Sequence, residues 1–364
     1  MHTKDLPIVD CPRAPLARGR AHGEALRGVI TEKIERWQAA IGKSYGQPAG
    51  TFLPAFLSAT DFRAATAEFI PDLLEEVQGI AEGAGIAEET AFALQLMDEE
   101  WWFGRAKGDG HCSSLAIAPS DGQPTLVGQT MDLPRWHDQA QALLRLEGDD
   151  DETLVYTSAG MVGLMGVSSR GLGICVNTLS QLATSRRGLP VAFAMRGALA
   201  QANAEAAATF LSRVRHASGQ NYQIGDRQGV RTLECSAGGA AVLTVENGRS
   251  LHTNHPLAST DAAPGAKMEG SSNSRNRLRS LHTDFARNKP VDLDRIKAAL
   301  SACRKGGAVS IVPKGPANAR TKLGLMKSMT VGAVIYEIGK AVSLSVAAGP
   351  PSVEGWKKIT LRQG

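Results

Sequence analysis

The spacing of hydrophobic residues divides the chain into a helical first third and a strand-rich remainder. Before residue 104, apolar side chains recur at helical spacing over Arg18–Trp37, Asp61–Ala84 and Ala87–Phe103. Pro71 lies inside the second stretch, and because proline suits the first turn of a helix, we expect a new helix to begin there. The glycine-rich segment Gly104–Gly110 ends the helical pattern.

After His111 the pattern changes to short apolar runs bounded by turn residues, which is typical of β-strands. Strands are predicted over Cys112–Pro119, Thr125–Asp132, Ala142–Glu147, Thr153–Ser158, Gly163–Ser168, Leu172–Asn177, Asn221–Gly225, Val230–Cys235, Ala240–Glu246, Ser250–Asn254, Thr330–Glu337 and Ala341–Ala347. Helices are predicted over Pro190–Gln201, Asn203–His216, Ser272–Ala286 and Leu293–Cys303, with Asn203 as the cap of the second. Asn247-Gly248 is typical of a hairpin turn between the strands that flank it. This order predicts layered sheets with helices outside them.

Composition and charge limit the classes of protein to which the chain can belong. The chain has 364 residues, 43 % of them hydrophobic, and a formal net charge of +4. The charges are mixed along the chain, so we expect no nucleic-acid partner. Arg275, Arg277 and Arg279 on a predicted helix are interpreted as a solvated face. No run of eighteen apolar residues predicts a membrane span, and no leader segment is recognisable. The five cysteines form no CxxC pair; we therefore expect reduced thiols, no metal site and a cytoplasmic location.

Cys112 is the strongest candidate for a catalytic residue. It opens a predicted strand directly after a glycine-rich segment, where a nucleophile could meet a substrate. If the following turn is centred on Gly122, residue 112 lies opposite residue 132 in the hairpin. Directly opposed side chains lie roughly 5 Å apart on one face of the sheet, so Asp132 is predicted beside Cys112.

Several segments in sequence order resemble the isopenicillin N acyltransferase family. They are Arg18-Gly19-Arg20-Ala21-His22-Gly23, Asp109-Gly110-His111-Cys112-Ser113-Ser114, Gly128-Gln129-Thr130-Met131-Asp132, Gly171-Leu172-Gly173-Ile174-Cys175-Val176-Asn177, Thr253-Asn254-His255, Ser271-Ser272-Asn273-Ser274-Arg275 and Ala347-Ala348-Gly349-Pro350-Pro351. Each segment is weakly specific alone, but together they cover nearly the whole chain.

The resemblance implies an α+β fold with four αββα layers and two stacked antiparallel sheets, typical of N-terminal-nucleophile hydrolases. It implies a helical prodomain, residues 1–111, that is cut from a catalytic core, residues 112–364, and retained with it as a heterodimer. The cut between His111 and Cys112 would expose the Cys112 α-amine, whose ordinary pKa of about 7.7–8.0 suits a general base. The substrate would be a small molecule with an amide bond, and no cofactor is expected.

Two asparagines and one arginine complete the candidate site. The resemblance implies that Asn254 donates a hydrogen bond to the oxyanion of the reaction, and Asn177 is a second candidate for that role. Arg320 is a candidate for substrate binding, although a solvated loop arginine is the simpler interpretation. The chain departs from the family in two places: His111 replaces the glycine before the cysteine, and Met97-Asp98-Glu99-Glu100 replaces a segment with asparagine and arginine.

Two other functions remain open from the sequence. In the first, the chain stays uncut and Cys112 pairs with His255 or His252, as in papain-like thiol hydrolases. In the second, the chain is a catalytically silent binding protein on the same fold.

Overall fold

The computed structural model describes residues 6–105, 112–120, 122–286, 291–313 and 325–362. The helices are α1 (Pro15–Ala25), α2 (Arg27–Tyr45), α3 (Ala49–Ser58), α4 (Phe62–Phe69), α5 (Asp72–Ala84), α6 (Glu88–Ala93), α7 (Met97–Phe103), α8 (Val191–Leu199), α9 (Ala204–Arg213), α10 (Ser272–Asp284), α11 (Leu293–Leu300) and α12 (Pro351–Glu354). A short 3-10 helix spans Arg135–His137.

The strands are β1 (Ile8–Cys11), β2 (Ser113–Ile117), β3 (Thr125–Pro134), β4 (Gln141–Glu147), β5 (Glu152–Ser158), β6 (Met165–Ser168), β7 (Leu172–Thr178), β8 (Gln220–Asp226), β9 (Val230–Ser236), β10 (Gly239–Val242), β11 (Arg249–His252), β12 (Ser328–Ile338), β13 (Val342–Ala347) and β14 (Lys357–Thr360). They form an eight-stranded sheet in the order β1-β4-β5-β6-β7-β8-β9-β10 and a six-stranded sheet in the order β11-β2-β3-β12-β13-β14. Among these described strands, all pairings are antiparallel, as predicted, except the parallel pairing of β1 with β4 at one edge.

The two sheets stack face to face and are joined by hydrogen bonds as well as apolar contacts. The Tyr156 hydroxyl on β5 donates to the Val331 carbonyl on β12 at 2.7 Å. Gln129 on β3 donates through Nε2 to the Val176 carbonyl on β7 at 2.6 Å. Helices α8 and α9 pack on the eight-stranded sheet, and α10 and α11 pack on the six-stranded sheet. The chain therefore has the predicted four αββα layers, and in its described part helices α1 to α7 precede β2.

Helices α1 and α5 pack with their backbones in close contact because glycines face each other. A Cβ atom built at Gly19 would lie 2.0 Å from the Glu76 carbonyl oxygen, and one at Gly79 would lie 2.2 Å from the Leu16 carbonyl oxygen. A Cβ atom built at Gly23 would lie 2.5 Å from the Ile80 carbonyl oxygen. The glycines of the Arg18–Gly23 segment are therefore required by helix packing.

Buried polar contacts join the first helices to the sheets. The Glu76 carboxylate accepts hydrogen bonds from both terminal nitrogens of Arg196 on α8 and one from Nε of Arg18. Burial alone would raise the pKa of Glu76, but these two guanidinium groups hold that pKa below its ordinary value. The Gly160 amide donates to Nε2 of His22 at 3.0 Å. The first third of the chain thus shares one core with the rest, and β1 extends the eight-stranded sheet.

The structure corrects several predicted boundaries. The stretch Arg18–Trp37 is two helices that meet at Leu26, and Ala87–Phe103 is also two helices, α6 and α7. Helix α3 and strands β1 and β14 were not predicted. Pro71 does precede a new helix, α5, and the Asn203 side chain caps α9 by accepting a hydrogen bond from the Ala206 amide.

The Asn247-Gly248 turn is present, but the hairpin predicted around it is wrong. Both residues have positive φ, 50° and 71°, and the turn closes a single bridge between Glu246 and Arg249. The preceding strand, β10, pairs with β9 in one sheet, whereas β11 pairs with β2 in the other. The turn therefore carries the chain from one sheet to the other.

In the described part of the chain, no helix combines the length and apolar character that a membrane crossing requires.

Candidate active site

Cys112 lies directly before β2, between the two sheets. Its side chain is 3 % exposed, and its sulfur lies 3.6 Å from the Met131 sulfur on β3. Residues 106–111 and 314–324 lie outside the described residues, so the predicted cleavage residue His111 and the predicted substrate-binding residue Arg320 remain predictions. The position of Cys112 at the start of an inner strand agrees with the expectation from the sequence.

The predicted register of the hairpin is wrong by one residue. Ser113 pairs with Thr130 and Ser114 with Gln129, which places Met131 rather than Asp132 opposite Cys112. Because side chains alternate between the two faces of a strand, a shift of one residue moves Asp132 to the other face of the sheet. Its backbone amide nevertheless hydrogen-bonds to the Cys112 thiol. Asp132 is therefore a neighbour of Cys112, although the two side chains do not face each other across the hairpin.

The Asp132 carboxyl group is buried and only partly satisfied. Its Oδ1 accepts a hydrogen bond from the Thr330 hydroxyl on β12, while Oδ2 is buried without a partner among the described residues. Burial raises the pKa of Asp132 to about 7, although Thr330 and Arg277 favour the charged form. Burial, together with the nearby Asp132 charge, raises the pKa of the Cys112 thiol to about 12. The Cys112 side chain is therefore a neutral thiol in this arrangement.

Arg277 on α10 joins the residues of the site, and the interpretation of this arginine as part of a solvated helix face is wrong. The side chain is fully buried. Nη1 donates to the Cys112 carbonyl oxygen at 2.5 Å and to the Ser113 hydroxyl at 2.9 Å, and Nη2 donates to Oδ1 of Asn254 at 2.9 Å. The sequence held a signal for this burial, because Leu281 and Phe285 follow Arg277 at spacings of four along one helix face.

The structure brings Asn254 into the site and leaves Asn177 in a polar cluster between the sheets. Asn254 directs its Oδ1 to Arg277, and its Nδ2 donates to the Thr178 carbonyl oxygen at 3.0 Å. Asn177 accepts hydrogen bonds from the Ser114 hydroxyl and from Asn221, and its Nδ2 is buried without a partner among the described residues. Each asparagine therefore retains N–H capacity that a substrate oxygen could use.

A narrow cavity adjoins Cys112 between the two sheets, and we call it the methionine cavity. Its apolar lining consists of Met97, Met131, Met161, Met195, Leu133, Leu164, Val176, Val191, Ala192 and Gly163, and its polar lining consists of Gln95, Asp98, Thr178 and Gln220. Met131 contacts both this cavity and the Cys112 sulfur. The cavity has a volume of about 30 Å³, so in this structure it has room only for a very small group beside Cys112.

Known sequences similar to this chain are acyltransferases. The sequence model of the family described as acyl-coenzyme A:6-aminopenicillanic acid acyl-transferase matches residues 120–297. The 40 kDa form of acyl-coenzyme A:6-aminopenicillanic-acid-acyltransferase from Emericella nidulans is 26 % identical over 252 residues, 68 % of this chain and 69 % of the relative. The middle part of the chain is thus similar to this acyltransferase family. The chain is an enzyme of the group that hydrolyses amides or transfers their acyl groups.

Several solved structures of amide hydrolases also resemble this chain. A mutant of conjugated bile acid hydrolase from Clostridium perfringens gives a TM-score of 0.44 at 12 % identity, covering 69 % of this chain and 97 % of its own. The N-acylethanolamine-hydrolyzing acid amidase ortholog of Caenorhabditis elegans gives 0.43 at 16 % identity, with coverage of 62 % and 92 %. The αββα layers are established by the sheets and helices of the chain itself.

The alternative thiol–imidazole pair is not formed in the described part of the chain. Nε2 of His252 lies 2.8 Å from the Glu234 carboxylate and its Nδ1 lies 2.8 Å from the Thr253 carbonyl oxygen. Nδ1 of His255 lies 2.7 Å from the Ser274 hydroxyl, and burial lowers the pKa of His255 to about 4. Both histidines are engaged by other groups, so neither is placed to take the proton of Cys112.

Proposed function

We propose that the chain is a self-processing enzyme that cleaves the amide bond of a small acyl-amine or acyl-amino-acid, or transfers its acyl group, through a thioester on Cys112. The observation that carries this proposal is the position of Cys112. It is buried between the sheets next to the methionine cavity and is surrounded by Asp132, Arg277 and Asn254. Similarity to the acyltransferase family supports the same chemistry.

The first step is cleavage of the chain between His111 and Cys112. The Cys112 sulfur attacks the carbonyl carbon of residue 111, and the peptide nitrogen leaves with a proton and becomes the α-amine of Cys112. Water then opens the resulting thioester, restoring the thiol and leaving residue 111 with a carboxylate. This step is needed because the uncut chain offers Cys112 no imidazole base among the described residues, and burial makes the thiolate unfavourable.

The new α-amine then acts as the base for catalysis. It takes the thiol proton, the sulfur attacks the substrate carbonyl, and the ammonium returns the proton to the departing amine. Water hydrolyses the acyl thioester, or an acceptor amine takes the acyl group. The unpartnered Oδ2 of Asp132 can accept a hydrogen bond from this ammonium, and the positive charge would offset the cost of burying the carboxylate.

Asn254 and Asn177 are the proposed donors to the oxyanion of the tetrahedral intermediate, through their Nδ2 atoms. Arg277 positions this site, because one guanidinium group holds the Cys112 carbonyl oxygen and Oδ1 of Asn254 together. That contact orients Nδ2 of Asn254 away from the guanidinium. Removing one such donor lowers kcat by about 10²–10³ in comparable hydrolases.

We propose that residues 1–111 stay bound after cleavage as a small subunit. Strand β1 remains paired with β4, and Glu76 remains paired with Arg196 on α8. Release would expose the apolar faces of these helices and leave the buried Arg196 guanidinium without its carboxylate partner.

The test is to incubate purified enzyme with a panel of acyl amides and to measure amine release and the mass of acid-quenched protein. We expect amine release by the wild type, an acyl adduct on the peptide that begins with Cys112, and neither with Cys112→Ala. Cys303→Ala is the matched control, because Cys303 is an exposed free thiol and its loss should change neither result. An adduct on another residue, or full activity of Cys112→Ala, would contradict the proposal. An inert thiol with no turnover would favour the silent binding protein.

A further inference from the structure

The last residue of strand β7, Thr178, lies between the proposed oxyanion donor Asn254 and helix α7. Its carbonyl oxygen accepts a hydrogen bond from Nδ2 of Asn254 at 3.0 Å. Its hydroxyl donates to Oδ2 of Asp98 on α7 at 2.7 Å. One residue therefore joins the proposed donor to a carboxyl group from the first third of the chain.

The side-chain amide of Asn254 is held at both of its polar ends. A guanidinium group only donates hydrogen bonds, so the contact with Nη2 of Arg277 at 2.9 Å decides which end of the amide is Oδ1. One N–H of Nδ2 points to the Thr178 carbonyl oxygen, and the second N–H meets no acceptor among the described residues. Because the amide group is planar, the position of the Thr178 carbonyl decides where the second N–H points.

Asp98 holds Thr178 from a position that is itself well anchored. The Asp98 side chain is 5 % exposed, and its Oδ2 also accepts a hydrogen bond from Nε2 of Gln220 on β8 at 2.6 Å. The next carboxyl group of α7, that of Glu99, accepts a hydrogen bond from the Ser218 hydroxyl at 2.6 Å. Two neighbouring carboxyl groups therefore attach α7 to the core beside the end of β7.

We infer that Asp98 is a positioning residue, which acts through Thr178 to direct the second N–H of Asn254 to the oxyanion. The inference rests on the proposed function and adds a residue to it. The proposed cut before Cys112 would place Asp98 on the small subunit and Asn254 on the large one. The small subunit would then complete the oxyanion site as well as cover the core.

The test compares two small thiol reagents in a Cys303→Ala background, because Cys303 is exposed whereas the other four cysteines are buried. The Cys112 thiolate attacks the carbonyl carbon of p-nitrophenyl acetate, an oxyanion forms, and p-nitrophenolate leaves as the acetyl thioester appears. The same thiolate displaces iodide from iodoacetamide, a reaction that forms no oxyanion. Both rates are measured from the mass of the peptide that contains Cys112.

The readout is the ratio of the acylation rate to the alkylation rate. A change in the acidity or the accessibility of the thiol alters both rates, whereas the loss of an oxyanion donor lowers the acylation rate alone. A general structural effect of a substitution therefore leaves the ratio unchanged.

Thr178→Val and Asp98→Ala each remove one partner of the hydrogen bond between these residues. We expect each to lower the ratio by about 10–10²-fold, because a displacement of about 1 Å at a reacting centre costs a factor of this size. Thr178→Ser keeps the hydroxyl and Asp98→Asn keeps an acceptor oxygen, so both should give a ratio close to that of the wild type. If Asp98→Ala does not fold, Thr178→Val decides the inference alone.

Thr66→Val is the matched control for Thr178→Val. Thr66 is fully buried, and its hydroxyl donates to the Phe62 carbonyl oxygen within α4 at 2.8 Å, so we expect the ratio of the wild type. An unchanged ratio in Thr178→Val, or an equal fall in Thr66→Val, would overturn the inference.

Asn254→Ala shows whether Thr178 acts through Asn254. This variant should lower the ratio by about 10²–10³-fold, and Thr178→Val added to it should lower the ratio no further, because the group that Thr178 positions is already absent. Two effects that multiply would overturn the inference and leave Asn254 in the proposed mechanism. A Cys112 thiol that reacts with neither reagent, or a wild-type ratio in Asn254→Ala, would instead contradict the proposed function and the inference with it.

Discussion

The unusual environment of Asp132 predicts that this residue destabilises the uncut chain at neutral pH. The perturbation is Asp132→Asn in a Cys112→Ala background, which keeps the chain in one piece if the proposed self-cleavage is correct. Asparagine can still accept the hydrogen bond from the Thr330 hydroxyl, but it carries no charge at any pH. The comparison therefore isolates the cost of charging a buried carboxyl group.

The magnitude follows from the difference in pKa between the folded and unfolded chain. Burial raises the pKa of Asp132 to about 7, whereas an unfolded aspartate titrates near about 3.9. An acid that binds its proton more tightly in the folded state loses folding stability as the pH rises through this interval. A difference of about 3 pKa units corresponds to roughly 4 kcal/mol at pH 8 and to almost nothing at pH 4. The new Nδ2 atom of asparagine, which replaces the unpartnered Oδ2, costs about 1–3 kcal/mol at both pH values.

The assay is urea-induced unfolding of both proteins at pH 4 and pH 8, followed by circular dichroism. The expected result is a change in the relative free energy of unfolding of about 4 kcal/mol between the two pH values, in favour of the Asp132→Asn variant at pH 8. Packing effects of the substitution cancel in this difference, because they are the same at both pH values. A relative stability that is independent of pH, or one that favours the original aspartate at pH 8, would refute the reasoning.

Three further substitutions test other parts of the structure. Gly19→Ala should lower the free energy of unfolding by at least about 1–3 kcal/mol, because its Cβ would overlap α5. A Cβ atom at Gly28 would have no atom within 4 Å, so Gly28→Ala should leave the free energy of unfolding unchanged or raise it by about 0.5–1 kcal/mol. Equal effects of the two substitutions in urea unfolding would contradict the packing argument. Glu76→Gln should cost about 3–5 kcal/mol, measured in the same way, because Arg196 would lose its buried counter-charge; a change under about 1 kcal/mol would be inconsistent with this. Asn254→Ala should lower kcat by about 10²–10³ with little change in KM, and an unaltered kcat would remove Asn254 from the proposed mechanism.

Local signals in the sequence predicted local structure well and long-range pairing poorly. Asn203 and Pro71 act at helix ends, where the chemistry of one side chain decides the outcome. The Asn247-Gly248 turn also forms, but which sheet each flanking strand joins depends on partners far away in the chain. No turn signal carries that information.

The candidate site shows the same contrast between local features, which the sequence predicted, and long-range contacts, which it did not. Cys112 could be identified from its place between a glycine-rich segment and a strand, together with the resemblance to the family. The hairpin register could not be fixed, because a turn one residue shorter or longer fits the same pattern and reverses the face of every side chain. Arg277 was missed because charged residues on a helix are usually solvated, and its burial depends on contacts with Cys112, Ser113 and Asn254 from other elements.

The central claim is that Cys112 becomes the first residue of a separate chain by its own reaction. Intact-mass spectrometry of the purified wild type and of Cys112→Ala tests it most directly. The account predicts two wild-type polypeptides, residues 1–111 and residues 112–364, the larger with a free α-amine on Cys112, and a single uncut chain for the variant. A wild type that stays in one piece while it hydrolyses amides, or a variant that is cut at the same bond, would contradict the account.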